Sequence, residues 1–281
     1  MRLIAKTFFV VALSSACASF AIAADKPASA TQPAAEHGAA LAAAIAGDWR
    51  SAKNTARDVY RHPRETLSFF GVAPDQTVVE ITPGGGWYSE ILAPYLRDNG
   101  RYIAAIAKSS DPNSYGGRNN KALRDKFAAD AAHYGKAAVV EFDAKAPVFG
   151  APGSADTVLT FRNVHNWVDA GNAEAYFKAF FAVLKSGGTL GVADHRAKPG
   201  TDLEKMKESG YLTEELVTKL ATDAGFKLDA KSEINANPKD TADHPNGVWT
   251  LPPTNRHDAA DAAKYKAIGE SDRMTLRFVK P

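Results

Sequence analysis

The sequence predicts an α/β fold: a doubly wound, seven-stranded, mostly parallel sheet closed by a terminal antiparallel strand pair. Three observations predict it. Short apolar β runs alternate with helical patterns from about residue 75 onward, and strands joined by helix-length crossovers pair in parallel beneath helices on both faces. The run Thr77-Val78-Val79-Glu80-Ile81-Thr82-Pro83-Gly84-Gly85-Gly86-Trp87-Tyr88 passes from a buried strand through a glycine turn into a helix, where an open α/β sheet receives a nucleotide-like ligand. The last two β runs, 226–234 and 274–279, have no long regular helix between them, so they close the sheet as an antiparallel pair.

The elements follow in order along 281 residues. Arg2 and Lys6 bracket the start of a short apolar core and Ala21-Ile22-Ala23 offers a small-residue cleavage site. Residues 1–23 therefore read as a secretory signal peptide, which places the protein in the periplasm or outside the cell. Ser14 and Ser15 break the apolar stretch, so no stable membrane insertion is expected after cleavage. Leu13 lies one position too far from Cys17 for a lipoprotein signal. Cys17 is the single cysteine and falls in the leader, which excludes disulfides, zinc–thiolate sites and cysteine nucleophiles from the cleaved chain. The leader also removes two basic residues, taking the formal charge from +2 to zero. That balance favours neither nucleic acid nor an anionic membrane as a partner.

Residues 24–36, rich in Ala, Pro, Ser and Thr, read as a flexible linker. Residues 37–74 read as an N-terminal helical cap: Leu41, Ile45 and Trp49 recur at four-residue spacing, and Pro63 opens a helix carrying Leu67, Phe69 and Phe70. Residues 75–281 read as a single domain. In it, residues 88–97 form a helix that Pro94 limits or kinks, and 102–107 a second strand. Leu123, Phe127, Ala131 and Tyr134 share one helical face, with Asn119 or Asn120 as cap. The third strand, 138–142, ends at Asp143, and the fourth covers 157–161. The helix bearing Tyr176, Phe177, Phe180, Phe181 and Leu184 ends at Gly187-Gly188. The fifth strand, 189–193, leads into Asp194-His195-Arg196, and a helix over 213–224 closes at Gly225. An insertion over 236–272 contains Pro238, Pro245, Pro252 and Pro253. It is too long for a connector and reads as a lid or substrate loop, or else as a structural wrap.

Chemistry concentrates at the strand ends. Gly84, Gly85 and Gly86 let the backbone turn and approach a ligand without Cβ obstruction. Glu80 would repel a pyrophosphate and suits a nucleoside with free hydroxyls and a cationic sulfonium centre. His165, within Arg162-Asn163-Val164-His165-Asn166-Trp167, is a general base or acceptor contact, or a histidine bonded to its own loop. Asp194 and His195 either orient and deprotonate a substrate or cap the next segment. Trp87 and Tyr88 either close over the ligand or pack against the cap. Arg61, His62 and Arg64 reach the site if the cap folds over it, and otherwise form a solvated basic face. His244 and His257 lack ligand spacing, so no metal site is expected.

The glycine turn, the acid after strand three, the Leu-Lys-Ser-Gly-Gly-Thr-Leu segment over 184–190 and the closing β pair together resemble class I S-adenosylmethionine-dependent methyltransferases. The resemblance covers roughly residues 60–281 and implies their Rossmann-like sheet. More narrowly, the run from Arg61 to Val72 followed by Pro83 to Tyr88 looks like a group of exported bacterial predicted methyltransferases. The resemblance implies S-adenosyl-L-methionine as cofactor and does not supply the substrate, for which a small-molecule acceptor is the expectation. By position, Glu80 heads an acid-x-Gly-x-Gly-x-Gly motif whose later glycines are Gly84 and Gly86, with Gly85 between them and Thr82 where the first glycine belongs. The ribose-gripping acid after strand two falls at Ala107 or Lys108, with Asp111 a distant substitute. Asp143 matches the residue that meets the adenine amine, and Phe161, Arg162 and Asn163 the stretch lining the methionine end. Tyr88 completes this cofactor set, and His165, Asp194 and His195 are the catalytic candidates. Thr82 and the missing strand-two acid support an alternative, a non-catalytic ligand-binding protein on a degenerate methyltransferase fold. A nicotinamide-dependent oxidoreductase lacks its third glycine and its strand-two acid. The sequence leaves the oligomeric state open.

Overall fold

A computed structural model describes residues 31–281, with side chains from residue 36. Residues 1–23, read as a signal peptide, and residues 24–30 of the segment read as a linker lie outside the described residues. The first helix, α1 (Thr31–Ile45), starts inside the segment read as linker. Its alanine-rich composition has the highest intrinsic helix propensity, and its Leu41 and Ala44 are buried against the domain. α1 ends before Trp49, which instead donates its indole N–H to the Glu90 carbonyl at 2.8 Å. The short helices α2 (Ala52–Thr55), α3 (Asp58–Arg61) and α4 (Pro63–Phe69) complete the cap. Pro63 occupies the first turn of α4 as expected, since its missing N–H would have no partner there anyway.

The domain continues through β1 (Thr77–Ile81), α5 (Ser89–Leu96), β2 (Arg101–Ala107), α6 (Tyr115–Ala129), α7 (Ala131–Tyr134), β3 (Ala138–Phe142) and β4 (Ala155–Phe161). Then come α8 (Val164–Asp169), α9 (Ala173–Val183), β5 (Leu184–His195), α10 (Leu203–Ser209), α11 (Glu214–Asp223), β6 (Lys227–Ser232), α12 (Ala262–Ile268) and β7 (Arg273–Val279). Seven strands form one sheet in the order β3-β2-β1-β4-β5-β7-β6. The first five pair in parallel, and β7 runs antiparallel to both β5 and β6. This is the predicted sheet. After β3 the chain returns to pair β4 with β1, so the strand order reverses there. A crevice forms at the carboxyl ends of strands flanking such a reversal.

Alternation along the strands covers both faces. Val79 and Ile81 pack with Phe177, Phe180, Leu190 and Leu276 on one side. Val78 packs with Phe70, Ile91, Leu92 and Tyr102 on the other. Helix boundaries within the domain also differ from the sequence reading. Ser114 caps α6 by accepting from the Gly117 N–H at 3.0 Å, and Asn119 and Asn120 lie inside the helix, where the Asn120 amide donates to the Ala107 carbonyl at 2.8 Å. The helix then breaks at Asp130, whose carboxylate caps α7. α9 stops at Val183, short of Gly187, and Leu184 turns extended to pair with Ala155. There the Lys280 ammonium donates to the Phe181 and Leu184 carbonyls, each at 2.7 Å, satisfying a helix end that no glycine has to cap.

Candidate active site

A cavity of about 500 Å³ opens at the carboxyl ends of β1, β2, β4 and β5, a volume typical of small-molecule sites. Thr82 and Gly84 form its floor at the β1 turn, and Arg162, Asn163 and His165 its wall after β4. His195 enters from the end of β5, while Trp249 and Pro252 of the insertion close the far side. The insertion therefore lines the crevice as well as wrapping the domain.

The three glycines divide by role. Gly84 adopts φ +59, and a Cβ built there meets nothing within 4 Å, so this position leaves the turn open toward the cavity. Gly85 is equally open. At Gly86, φ +80, a Cβ would lie 2.9 Å from Leu123 Cδ1 and 3.3 Å from Ser89; this glycine serves helix packing and does not reach the cavity. Thr82 also sits left-handed at φ 50, a region costly for a β-branched residue. That conformation is the physical reason a glycine suits this position.

Glu80 departs from the expected role. It is 3 % exposed and is not among the cavity-lining residues. Its Oε2 accepts from the Tyr102 hydroxyl at 2.5 Å and the Ser89 hydroxyl at 3.3 Å. Burial pushes its pKa up to about 7, against the opposing pull of the two hydroxyls and Arg61. Tyr88 is also turned away: it stacks on Phe161 with ring centroids 3.6 Å apart, and neither ring lines the cavity. Trp87 packs against the cap, its indole N–H donating to the Asn54 carbonyl at 2.8 Å. Asp143 is exposed and accepts from the Lys145 N–H at 2.8 Å; it lies beyond β3, at the sheet edge away from the strand reversal.

Asp194, by contrast, organises the β4 and β5 ends. Its Oδ2 accepts from the Val164 N–H at 2.7 Å and its Oδ1 from the His195 N–H at 2.8 Å. The same Oδ1 lies 2.9 Å from His165 Nδ1. A carboxylate only accepts, so Nδ1 carries a proton, and in the neutral ring Nε2 is the nitrogen with the lone pair. Asp194 itself is wholly buried and does not touch the cavity; it positions a histidine that does. His195 pairs through Nδ1 with the Ser271 hydroxyl. Burial, then the nearby His165, Arg162, Arg273 and Arg61, hold its pKa well below the ordinary value, so the ring stays neutral. Asn163 ties the two sides together, its amide donating to the Ile81 carbonyl at 3.0 Å.

His165, Asp194 and His195 offer ligand atoms within 4.8 Å of one another, a metal-like spacing between distant positions that the sequence reading did not foresee. Both Asp194 oxygens are already committed to N–H donors, and arginines depress His195. The group therefore reads as a positioned base beside a neutral imidazole, and its surroundings oppose a cation.

At the end of β2 the cavity wall is Ile106 and Ala107, joined by Asn119 and Asn120 from α6. Asp111 is exposed and accepts from the Asn113 N–H. The two asparagines, read from sequence only as helix caps, thus occupy the place expected of an acid. Arg61 folds inward and is buried, whereas Arg64 stays exposed; the expected basic segment contributes one arm to the interior and leaves the other in solvent.

No protein-family model matches the sequence, and no curated protein sequence matches it. Solved structures do. An S-adenosylmethionine-dependent methyltransferase from Aquifex aeolicus is 14 % identical with a TM-score of 0.54, covering 80 % of this chain and 93 % of its own. The cyclase SpnF is 15 % identical with a TM-score of 0.53, covering 84 % and 85 %. A Pyrococcus horikoshii protein is 12 % identical with a TM-score of 0.53, covering 83 % and 94 %. At such identities the likeness speaks for architecture, and it agrees with the strand order: the chain has the Rossmann-like fold of S-adenosylmethionine-dependent methyltransferases.

Proposed function

We propose that the protein is an S-adenosylmethionine-dependent methyltransferase acting on a small-molecule acceptor outside the cytoplasm. One observation carries this reading: His165, oriented by Asp194, lines the same cavity as the open Gly84 turn. Gly84, the Asn119–Asn120 pair and Asn163 are the residues that would hold the cofactor, which supplies an electrophilic methyl group on a sulfonium. The chain's task is to align the acceptor and exclude water. His165 Nε2 takes the acceptor proton, and Asp194 stabilises the imidazolium that forms. His195, held neutral, adds no competing positive charge beside it.

Titration calorimetry with S-adenosylhomocysteine tests the reading. Saturable binding is expected, weakened about tenfold or more by Gly84→Ala, whose Cβ would project where no protein atom stands. No heat from either S-adenosylhomocysteine or S-adenosylmethionine at millimolar concentration would sink it. Export rests on residues 1–23, and the intact mass of the exported protein should show cleavage after Ala23; an intact Met1 argues against it.

The inward-facing Glu80 and the strained Thr82 favour a second reading, a binding protein that has lost the methyl donor. The similarity to a cyclase supports keeping it, since fold alone does not set chemistry. Native mass spectrometry separates the two: a different retained ligand favours the second, and bound S-adenosylhomocysteine the first.

A further inference from the structure

Arg57, Arg61, Arg162 and Arg273 converge behind the crevice, with Glu270 as the carboxylate among them. Arg57 Nε donates to Glu270 Oε1 at 2.6 Å, and Glu270 Oε2 accepts from Arg61 Nε at 3.2 Å and Arg273 Nη1 at 3.1 Å. The side chains of Arg61, Glu270 and Arg273 are 6 %, 4 % and 5 % exposed. Burial alone would raise the Glu270 pKa, yet the arginines together hold it at about 2. Burial, followed by the charge of Arg162, pushes Arg61 down to about 9.

Glu270 alone does not neutralise this group, and Asp194, the other carboxylate whose charge acts on Arg162, is committed to N–H donors. Arg57 Nη2, Arg61 Nη2 and Arg273 Nε are buried and make no hydrogen bond among the described residues. A purely structural clamp gains by pairing each buried charge, because an uncompensated one is costly. Glu80 offers little help, with its pKa raised to about 7 and its Oε2 engaged by hydroxyls. Arg162 is the member of the group that lines the cavity. It is held there in a left-handed conformation, φ 62, strain of the kind that persists at ligand sites.

We propose that the methyl acceptor carries an anionic oxygen group, a carboxylate or phosphate, seated against Arg162 with the other three arginines making that wall positive. The word acceptor rests on the methyltransferase reading; the anion subsite does not. The competing source of such an anion is the cofactor's own carboxylate.

The test titrates inorganic phosphate, with acetate in parallel, into the full chain with and without saturating S-adenosylhomocysteine. Saturable phosphate or acetate binding that persists in the saturated protein, and that Arg162→Gln weakens about tenfold while Arg162→Lys weakens it less, supports the proposal. Arg57→Gln, outside the cavity wall, guards against misfolding of the first variant and should weaken anion binding by a smaller factor. Anion binding that S-adenosylhomocysteine displaces assigns the subsite to the cofactor and overturns the proposal. Absence of binding in both states overturns it too and leaves a structural clamp. If S-adenosylhomocysteine itself does not bind, the methyltransferase reading fails, while Arg162-dependent phosphate binding still upholds the anion site.

Discussion

Glu80 and Asp194 are both buried acids at the carboxyl end of a parallel-sheet strand, yet they do opposite things. Glu80 meets two hydroxyls, carries a pKa of about 7 and faces away from the crevice. Asp194 accepts from two backbone N–H groups and an imidazole, and through that imidazole it reaches the crevice. Position in the fold is shared; the hydrogen-bond partners differ. A hydroxyl can face either a carboxyl or a carboxylate, whereas backbone N–H groups only donate and so demand an acceptor. The partners of Asp194 therefore fix its role more firmly than strand position fixes that of Glu80.

The sharpest way to break this contrast is Asp194→Asn. The amide cannot accept on both sides, so the Val164 N–H or the His165 Nδ1–H loses its partner in a fully buried place. Chemical unfolding should show a loss of about 3 to 5 kcal/mol. Nitrogen NMR of His165 should show the proton shifting from Nδ1 to Nε2, which would remove the base from the cavity. A wild-type ring already protonated at Nε2 would refute the assignment.

Glu80→Gln probes the other acid, and the pH sets the sign. The folded pKa of about 7 lies above the ordinary value of 4.5, so the folded state retains a proton that the unfolded chain releases. Stability is then lost as pH rises from about 4.5 to 7, up to an order of 3 kcal/mol above that window. The glutamine oxygen can still accept from Tyr102 and Ser89. The variant should therefore melt higher than wild type at pH 8 and show little gain at pH 4, with S-adenosylhomocysteine binding changed by less than about threefold. A large loss of binding would restore Glu80 to the ligand site.

Much of this was readable in the chain. The alternation of β runs and helical faces specified the sheet, and Asp194-His195 and His165 were recognisable because they follow strands that end at the crevice. The orientation of Glu80 was also encoded. Side chains alternate along a strand, so Glu80 shares its face with Val78, on the Tyr102 side, opposite Val79 and Ile81. The glycine turn that follows Glu80 masks this pleat signal. The arginine group was beyond local reading, since Arg57 and Arg61 meet Glu270 across 213 and 209 residues. The asparagines at the end of β2 were hidden differently: their spacing signals a helix cap, and only the path of the chain after Ala107 carries them to the cavity.

The smallest expected effect sharpens what the β1 turn contributes. Thr82 holds φ 50 while its N–H donates to the Ala105 carbonyl at 2.7 Å and its own carbonyl receives Asn163. Both contacts are main-chain and survive in Thr82→Gly. Removing a β-branched side chain from a left-handed site recovers about 1 to 2 kcal/mol, and the greater freedom of glycine in the unfolded chain takes back part of it. A net gain of about 0.5 to 1 kcal/mol is expected in thermal unfolding, with S-adenosylhomocysteine affinity unchanged or tighter because the side chain lines the cavity. Destabilisation would mean that the threonine packs usefully where it stands. Stabilisation with weaker binding would mean that its hydroxyl meets the ligand, placing at Thr82 the polar contact that Glu80 does not provide.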